Sequence, residues 1–108
     1  MMEQQAVQRI DDLPACPLAA AAAYFARHHA ESVGLLAEES NSSVVLVMPD
    51  AGPDHDDWRR ALARDLARSF APKRANVVGA SDLAAADEML AYLRDAPGVT
   101  GQYLAAHE

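Results

Sequence analysis

The chain has 108 residues, a formal net charge of −7 and one cysteine, Cys16. This length fits one domain with a modest core, and the negative charge disfavours nucleic acids and anionic membrane surfaces as partners. A single cysteine excludes a disulfide within the chain. The sequence has neither a long apolar segment nor a basic leader, so we expect a cytoplasmic protein.

The first half of the chain predicts an arm, a helix and a buried strand. Residues 5–13 are short and mixed, and they predict an edge strand or an irregular arm within an N-terminal section of residues 1–16. Pro17 suits the first turn of a helix, and the pattern that follows predicts one helix over 18–38. The apolar, β-branched run 44–48 is typical of a strand buried on both faces of a parallel sheet.

The clearest helix follows a turn rich in proline and aspartate. Its apolar residues recur every three or four positions and predict one buried stripe of Trp58, Ala61, Leu62, Leu66 and Phe70. We expect Asp54 or Asp56 to cap this helix and Asp56 to pair with Arg60 one turn later. The remaining basic residues predict a solvated face of Arg59, Arg60, Arg64 and Arg68.

The last third of the chain predicts two strands and one helix. Residues 75–79 predict a short strand, Ser81 the cap of a third helix, and 99–105 a final strand. Alternating helices and strands are typical of a parallel α/β sheet. We therefore predict a reduced Rossmann-like parallel sheet of three or four strands, flanked by three helices, with residues 17–108 as its domain.

Several stretches occur in an order that is known from one family. Residues 61–67 have a helical pattern and lead into 71–78, which reads Ala-Pro-Lys-Arg-Ala-Asn-Val-Val. Residues 89–93 precede 99–104, which contain Thr-Gly-Gln, and 43–52 combine an apolar run with a small-residue turn. Together they resemble the C-terminal half of the short-chain dehydrogenase/reductase family.

The resemblance covers residues 18–106 and implies a Rossmann-type half-fold. The first two helices would lie on one face of the sheet. The last helix would lie on the other face and be reached by a left-handed connection, an exception to the usual rule.

The sequence has no counterpart of the family's hydride-transfer machinery. The five glycines do not form a dinucleotide-binding loop; they are Gly34, Gly52, Gly79, Gly98 and Gly101. The family's catalytic serine would fall on Pro49, and its tyrosine and lysine on Gly52 and Asp56. The resemblance therefore implies a non-catalytic relative, and we predict no catalytic residue, no cofactor and no metal site.

The resemblance also implies an interface. In the family, the helices equivalent to 18–36 and 58–70 form a four-helix bundle across a two-fold axis between subunits. Near residues 19–25 the first helix has apolar or small side chains around much of its circumference, which favours a second buried face. We predict a homodimer, or an accessory subunit of a full-length reductase, with interface residues Tyr24, Phe25, His28, Trp58, Leu62, Leu66 and Phe70.

An alternative function is a small binding protein or enzyme with a pocket at the C-terminal ends of the strands, where open α/β sheets bind ligands. Its candidate residues are Asp50, Asp54, His55 and Ser81. Aspartates beside a histidine could bind a metal ion, but they lack the fixed spacing of a calcium-binding loop, and we favour a turn followed by a helix cap. A structural domain without a ligand is a third possibility.

Overall fold

The computed structural model describes residues 4–106. Four parallel strands form one sheet in chain order, and they are β1 (Gln5–Arg9), β2 (Ser43–Pro49), β3 (Arg74–Ala80) and β4 (Tyr103–Ala106). Four α-helices connect them, and they are α1 (Pro17–Arg27), α2 (His29–Ala37), α3 (Asp56–Ser69) and α4 (Leu83–Arg94). This architecture confirms the predicted Rossmann-like parallel sheet.

The two central strands are buried on both faces. Every residue of β3 is buried, as is β2 up to its last residue, Pro49. Alternate side chains, such as Val44 and Leu46, pack with α1, α2 and α3, while Val45 and Val47 pack with α4. Each connection leads to the next strand in the same direction across the sheet, because the spatial order of the strands is their order in the chain. The connection through α4, on the opposite face, therefore has the opposite hand to the first two, as the resemblance implies.

The helix predicted over 18–38 is two helices that meet at His28. The His28 backbone leaves the helical region, with φ −123° and ψ −20°. A distant partner accompanies this break, since Gln8 Nε2 on β1 donates a hydrogen bond to the His28 carbonyl at 3.0 Å. The residues around 28 contain no signal of that contact.

Two predicted boundaries near the end of the chain are wrong. Asp82 caps α4 in place of Ser81, because its Oδ1 accepts a hydrogen bond from the Ala85 amide at 2.8 Å. The last strand begins at Tyr103 because the preceding residues form a turn. In that turn Gly101 has φ +71°, a left-handed conformation that favours glycine.

Neither predicted aspartate caps α3. The N-cap is His55, and its side chain makes no cap hydrogen bond. One turn of 3₁₀ helix, Pro53–His55, precedes α3. Within it the amides of His55 and Asp56 donate to the carbonyls of Gly52 and Pro53. Backbone acceptors thereby replace the side-chain cap that Asp54 or Asp56 would supply.

A chain of buried hydrogen bonds joins α1, α2 and β1. Tyr24 donates its hydroxyl proton to Ser32 Oγ at 2.8 Å, and Ser32 donates to Gln8 Oε1. Because the Tyr24 proton is already used, His29 Nδ1 donates to the Tyr24 oxygen at 3.1 Å. Burial raises the pKa of the Tyr24 phenol above its ordinary value of 10.0, and the Ser32 hydrogen bond offsets part of that rise.

We predict that Tyr24→Phe lowers the free energy of unfolding by about 1 kcal/mol near neutral pH, because Ser32 loses its donor. The folded protein holds the Tyr24 proton more tightly than the unfolded chain does. Wild-type stability should therefore be full below the unfolded pKa and fall as the pH rises through the folded pKa. Urea denaturation above about pH 10 should show a shallower decline for Y24F than for the wild type.

The control for this experiment is Tyr92→Phe on α4, where the side chain is 53 % exposed. Y92F should retain the alkaline profile of the wild type. Parallel alkaline declines in Y24F and the wild type would contradict the role given to the buried phenol.

Candidate functional site

Arg59 of α3 is buried at the C-terminal edge of the sheet, at 1 % exposure. Its Nη1 donates to the Pro49 carbonyl at 2.9 Å and to the Tyr103 hydroxyl at 3.2 Å. The guanidinium carbon lies 5.6 Å from the ring centres of both Trp58 and Tyr103. The solvated position predicted for Arg59 is wrong.

The spacing along α3 contained a signal for this burial. The buried residues of the helix are Arg59, Leu62, Ala63 and Leu66, which recur every three or four positions. Arg59 therefore continues the apolar stripe by one turn. The other three arginines of α3 are exposed as predicted, and Arg60 pairs with Asp56 at 3.7 Å.

The Arg59 charge has no acidic partner. Across residues 4–106, no carboxylate forms an ion pair with its guanidinium. Both side-chain hydrogen bonds of Arg59 start at Nη1, and Nε is buried with no hydrogen-bond partner. A buried, unpaired charge is costly in a protein interior.

Gly79 makes room for the Arg59 contacts. A Cβ atom at this position would lie 2.6 Å from the Tyr103 hydroxyl and 3.1 Å from Arg59 Nη1. A larger residue would therefore push the tyrosine ring away from the guanidinium. The contact between α3 and β4 therefore requires a glycine at position 79 of β3.

A cavity of about 360 Å³ lies beside this cluster. Asp50, Asp54, His55 and Arg59 line it, together with the segment 13–15. Three of the four predicted pocket residues thus come together. Ser81 does not join them, because it lines a neighbouring depression of about 250 Å³.

His55 forms part of the cavity wall and has both ring nitrogens occupied. The indole Nε1 of Trp58 donates to His55 Nδ1 at 3.1 Å. His55 Nε2 lies 2.9 Å from the Ala15 carbonyl. These partners require the neutral tautomer with its proton on Nε2. The histidine therefore fastens the segment 13–15 to α3.

An apolar groove of about 490 Å³ lies between α3 and the pair α1–α2. Five of the seven predicted interface residues line it, namely Phe25, Trp58, Leu62, Leu66 and Phe70. Tyr24 is fully buried and supports the groove from below, with its ring 5.0 Å from that of Phe25. His28 is not among the lining residues, and its Nε2 is buried without a hydrogen-bond partner.

The positions that the resemblance assigns to catalysis lie along the same sheet edge. Pro49 is the last residue of β2, Gly52 precedes the 3₁₀ turn and Asp56 is the first residue of α3. None of them carries a hydroxyl, a phenol or an ammonium group. Within the described part of the chain, no three His, Cys, Asp or Glu side chains could hold a metal ion. No helix of residues 4–106 has the length and apolar character to cross a membrane.

The fold and its open edge define the class of protein. A parallel sheet covered on both faces, with a cavity at the carboxyl ends of its strands, is a Rossmann-like α/β domain. A family model described as "Short chain dehydrogenase-like protein" matches residues 8–106, and the chain belongs to this SDR-like family. Comparisons with curated proteins and with solved structures gave no match.

We predict that Gly79→Ala lowers the free energy of unfolding by about 1–3 kcal/mol, because the added methyl group meets the Tyr103 hydroxyl first. Tyr103→Phe removes that hydroxyl, so G79A should cost less in the Y103F background. Urea denaturation of all four proteins of this cycle measures the difference.

Gly98→Ala is the control for the cycle, because a Cβ at residue 98 meets nothing within 4 Å. It should change stability by no more than about 0.5 kcal/mol. If G79A lowers the free energy of unfolding equally in the wild-type and Y103F backgrounds, the added methyl group does not displace the Tyr103 hydroxyl.

Proposed function

We propose that this chain is a non-catalytic, SDR-like association module that pairs through α1, α2 and α3. Its first partner would be a second copy of itself. The apolar groove between these helices carries the proposal, because no described part of the chain fills it. Phe25 at its edge is 54 % exposed, which is high for a phenylalanine without a partner.

The outward face of α1 extends the groove. Leu18, Ala22 and Phe25 recur at spacings of four and three, and all three are exposed, with Leu18 at 84 %. A helix that served only to cover the sheet would turn polar residues to that side. A second apolar stripe is typical of a helix with another partner.

The groove residues suit a contact between helices. Ala61 in the groove and Ala22 on the outward face of α1 are small enough to let a facing helix approach closely. Phe25 and Trp58 supply the aromatic side chains that anchor interfaces. A two-fold axis sets the same patch opposite itself, so a single groove of this kind can serve both subunits.

The family supplies a second form of the same proposal. In the short-chain reductases that the chain resembles, the helices equivalent to α1–α2 and to α3 join the subunits. A full-length reductase would present a similar surface, so the chain could also act as an accessory subunit. The non-catalytic part of the proposal is supported by Pro49, Gly52 and Asp56 at the positions implied for the family's serine, tyrosine and lysine.

We predict that the wild type forms a dimer, so that light scattering gives twice the 11.6 kDa mass of a single chain. Phe25→Glu should shift the protein to the monomer, because association would then bury an unpaired charge within the contact. Its circular dichroism should stay that of the wild type, since the Phe25 side chain is already half exposed.

Tyr92→Glu is the matched control, because Tyr92 is 53 % exposed and lies on α4, across the sheet from the groove. It should leave the mass unchanged. A wild type that is monomeric and binds no purified full-length short-chain reductase would refute the association role.

A further inference from the structure

We propose that the cavity at the carboxyl end of β2 binds a small zwitterionic amino carboxylate, that is, a free amino acid, with the ligand's carboxylate on Arg59. The proposal is independent of the association role, because it uses the sheet edge and not the helix groove. It rests on three features of the cavity: a buried cation, an acidic rim and a histidine wall that offers no free nitrogen.

The cation at the inner end of the cavity has an unused binding edge. Because Nη1 makes both hydrogen bonds of Arg59, the edge formed by Nε and Nη2 has no partner. These two nitrogens present parallel N–H groups, the arrangement that a carboxylate accepts with its two oxygens. The protein thus leaves unpaired the part of the guanidinium that is best suited to a carboxylate.

A purely structural role explains only half of this side chain. The Pro49 carbonyl and the Tyr103 hydroxyl account for Nη1, and the rings of Trp58 and Tyr103 cover the guanidinium. These contacts fix the direction of the group but leave its charge without a counterion. An arginine held in place with its charge unmatched is preorganised for an anion.

The rim of the cavity selects among anions. Asp50 and Asp54 line the same cavity and are exposed, whereas Arg59 is buried. Two carboxylates at the entrance repel a simple anion but attract an ammonium group. A ligand with a carboxylate at one end and an ammonium group at the other matches both ends of the cavity.

The histidine wall adds shape without a free ring nitrogen. Both His55 nitrogens are occupied, by Trp58 and by the Ala15 carbonyl. The volume of about 360 Å³ lies at the small end of the range for ligand pockets. The cavity therefore suits a compact molecule whose charged groups supply most of the recognition.

The first test follows the Nε–Hε resonance of Arg59 by NMR in the wild-type protein, assigned through bonds. The probes are glycine, acetate and ethylamine, each titrated in the millimolar range. We expect glycine to shift this resonance at lower concentration than acetate, and ethylamine to leave it in place. The resonance of exposed Arg60, the next residue, is the internal control and should not move with glycine.

The second test uses the rim, whose residues are exposed and can be changed without disturbing the core. The double variant Asp50→Asn/Asp54→Asn should weaken glycine binding about two- to five-fold and strengthen acetate binding by a similar factor. Asp57→Asn removes one nearby exposed carboxylate that does not line the cavity, and it should change neither affinity.

Opposite effects on glycine and acetate in the double variant distinguish this site from unspecific anion binding. The proposal fails if no probe moves the Arg59 resonance, or if acetate moves it as readily as glycine in the wild type. It also fails if the double variant behaves like D57N. None of these outcomes depends on the mass of the protein in solution, so the association role stands or falls separately.

Discussion

Strands β2 and β3 carry apolar side chains on both faces, and this double burial determines where the helices of the described chain lie. A parallel sheet of this kind has to be covered on each side. The chain places α1, α2 and α3 on one side and α4 on the other. Three helices on one face leave a seam between them, and the apolar groove lies in it. The groove is thus a consequence of unequal coverage of the two faces.

The sheet edge depends on a second interaction, the contact of Arg59 with Tyr103 across Gly79. It ties α3 to β4, the shortest strand, through side chains and not only through the backbone ladder. Tyr103 gains a hydrogen bond and a cation–π contact there. The cost is a buried charge without a counterion, which neutral hydrogen bonds and aromatic rings only partly offset.

The features that depend on local pattern could be predicted from sequence, and those that depend on distant partners could not. The run 44–48 identified β2 because a short, continuous, β-branched stretch has few other structures available to it. The break at His28 could not be found, since its partner Gln8 lies twenty residues away. Arg59 is an intermediate case. Its spacing to Leu62 and Leu66 placed it on the buried stripe, but its charge predicted exposure to solvent. The acidic rim at Asp50 and Asp54 could be proposed from its position after a strand, whereas the cation beneath it could not.

The groove and the cavity are different surfaces, but neighbouring residues of α3 contribute to both. Trp58 lines the groove, covers the Arg59 guanidinium and donates its indole hydrogen to His55 in the cavity wall. A subunit that packs against Trp58 therefore restrains the residues that position the cation. A ligand bound to Arg59 restrains the ring that a subunit would contact. Such coupling between two binding equilibria is reciprocal. If a subunit in the groove and a ligand in the cavity favour the same position of Trp58, the binding of either one raises the affinity for the other.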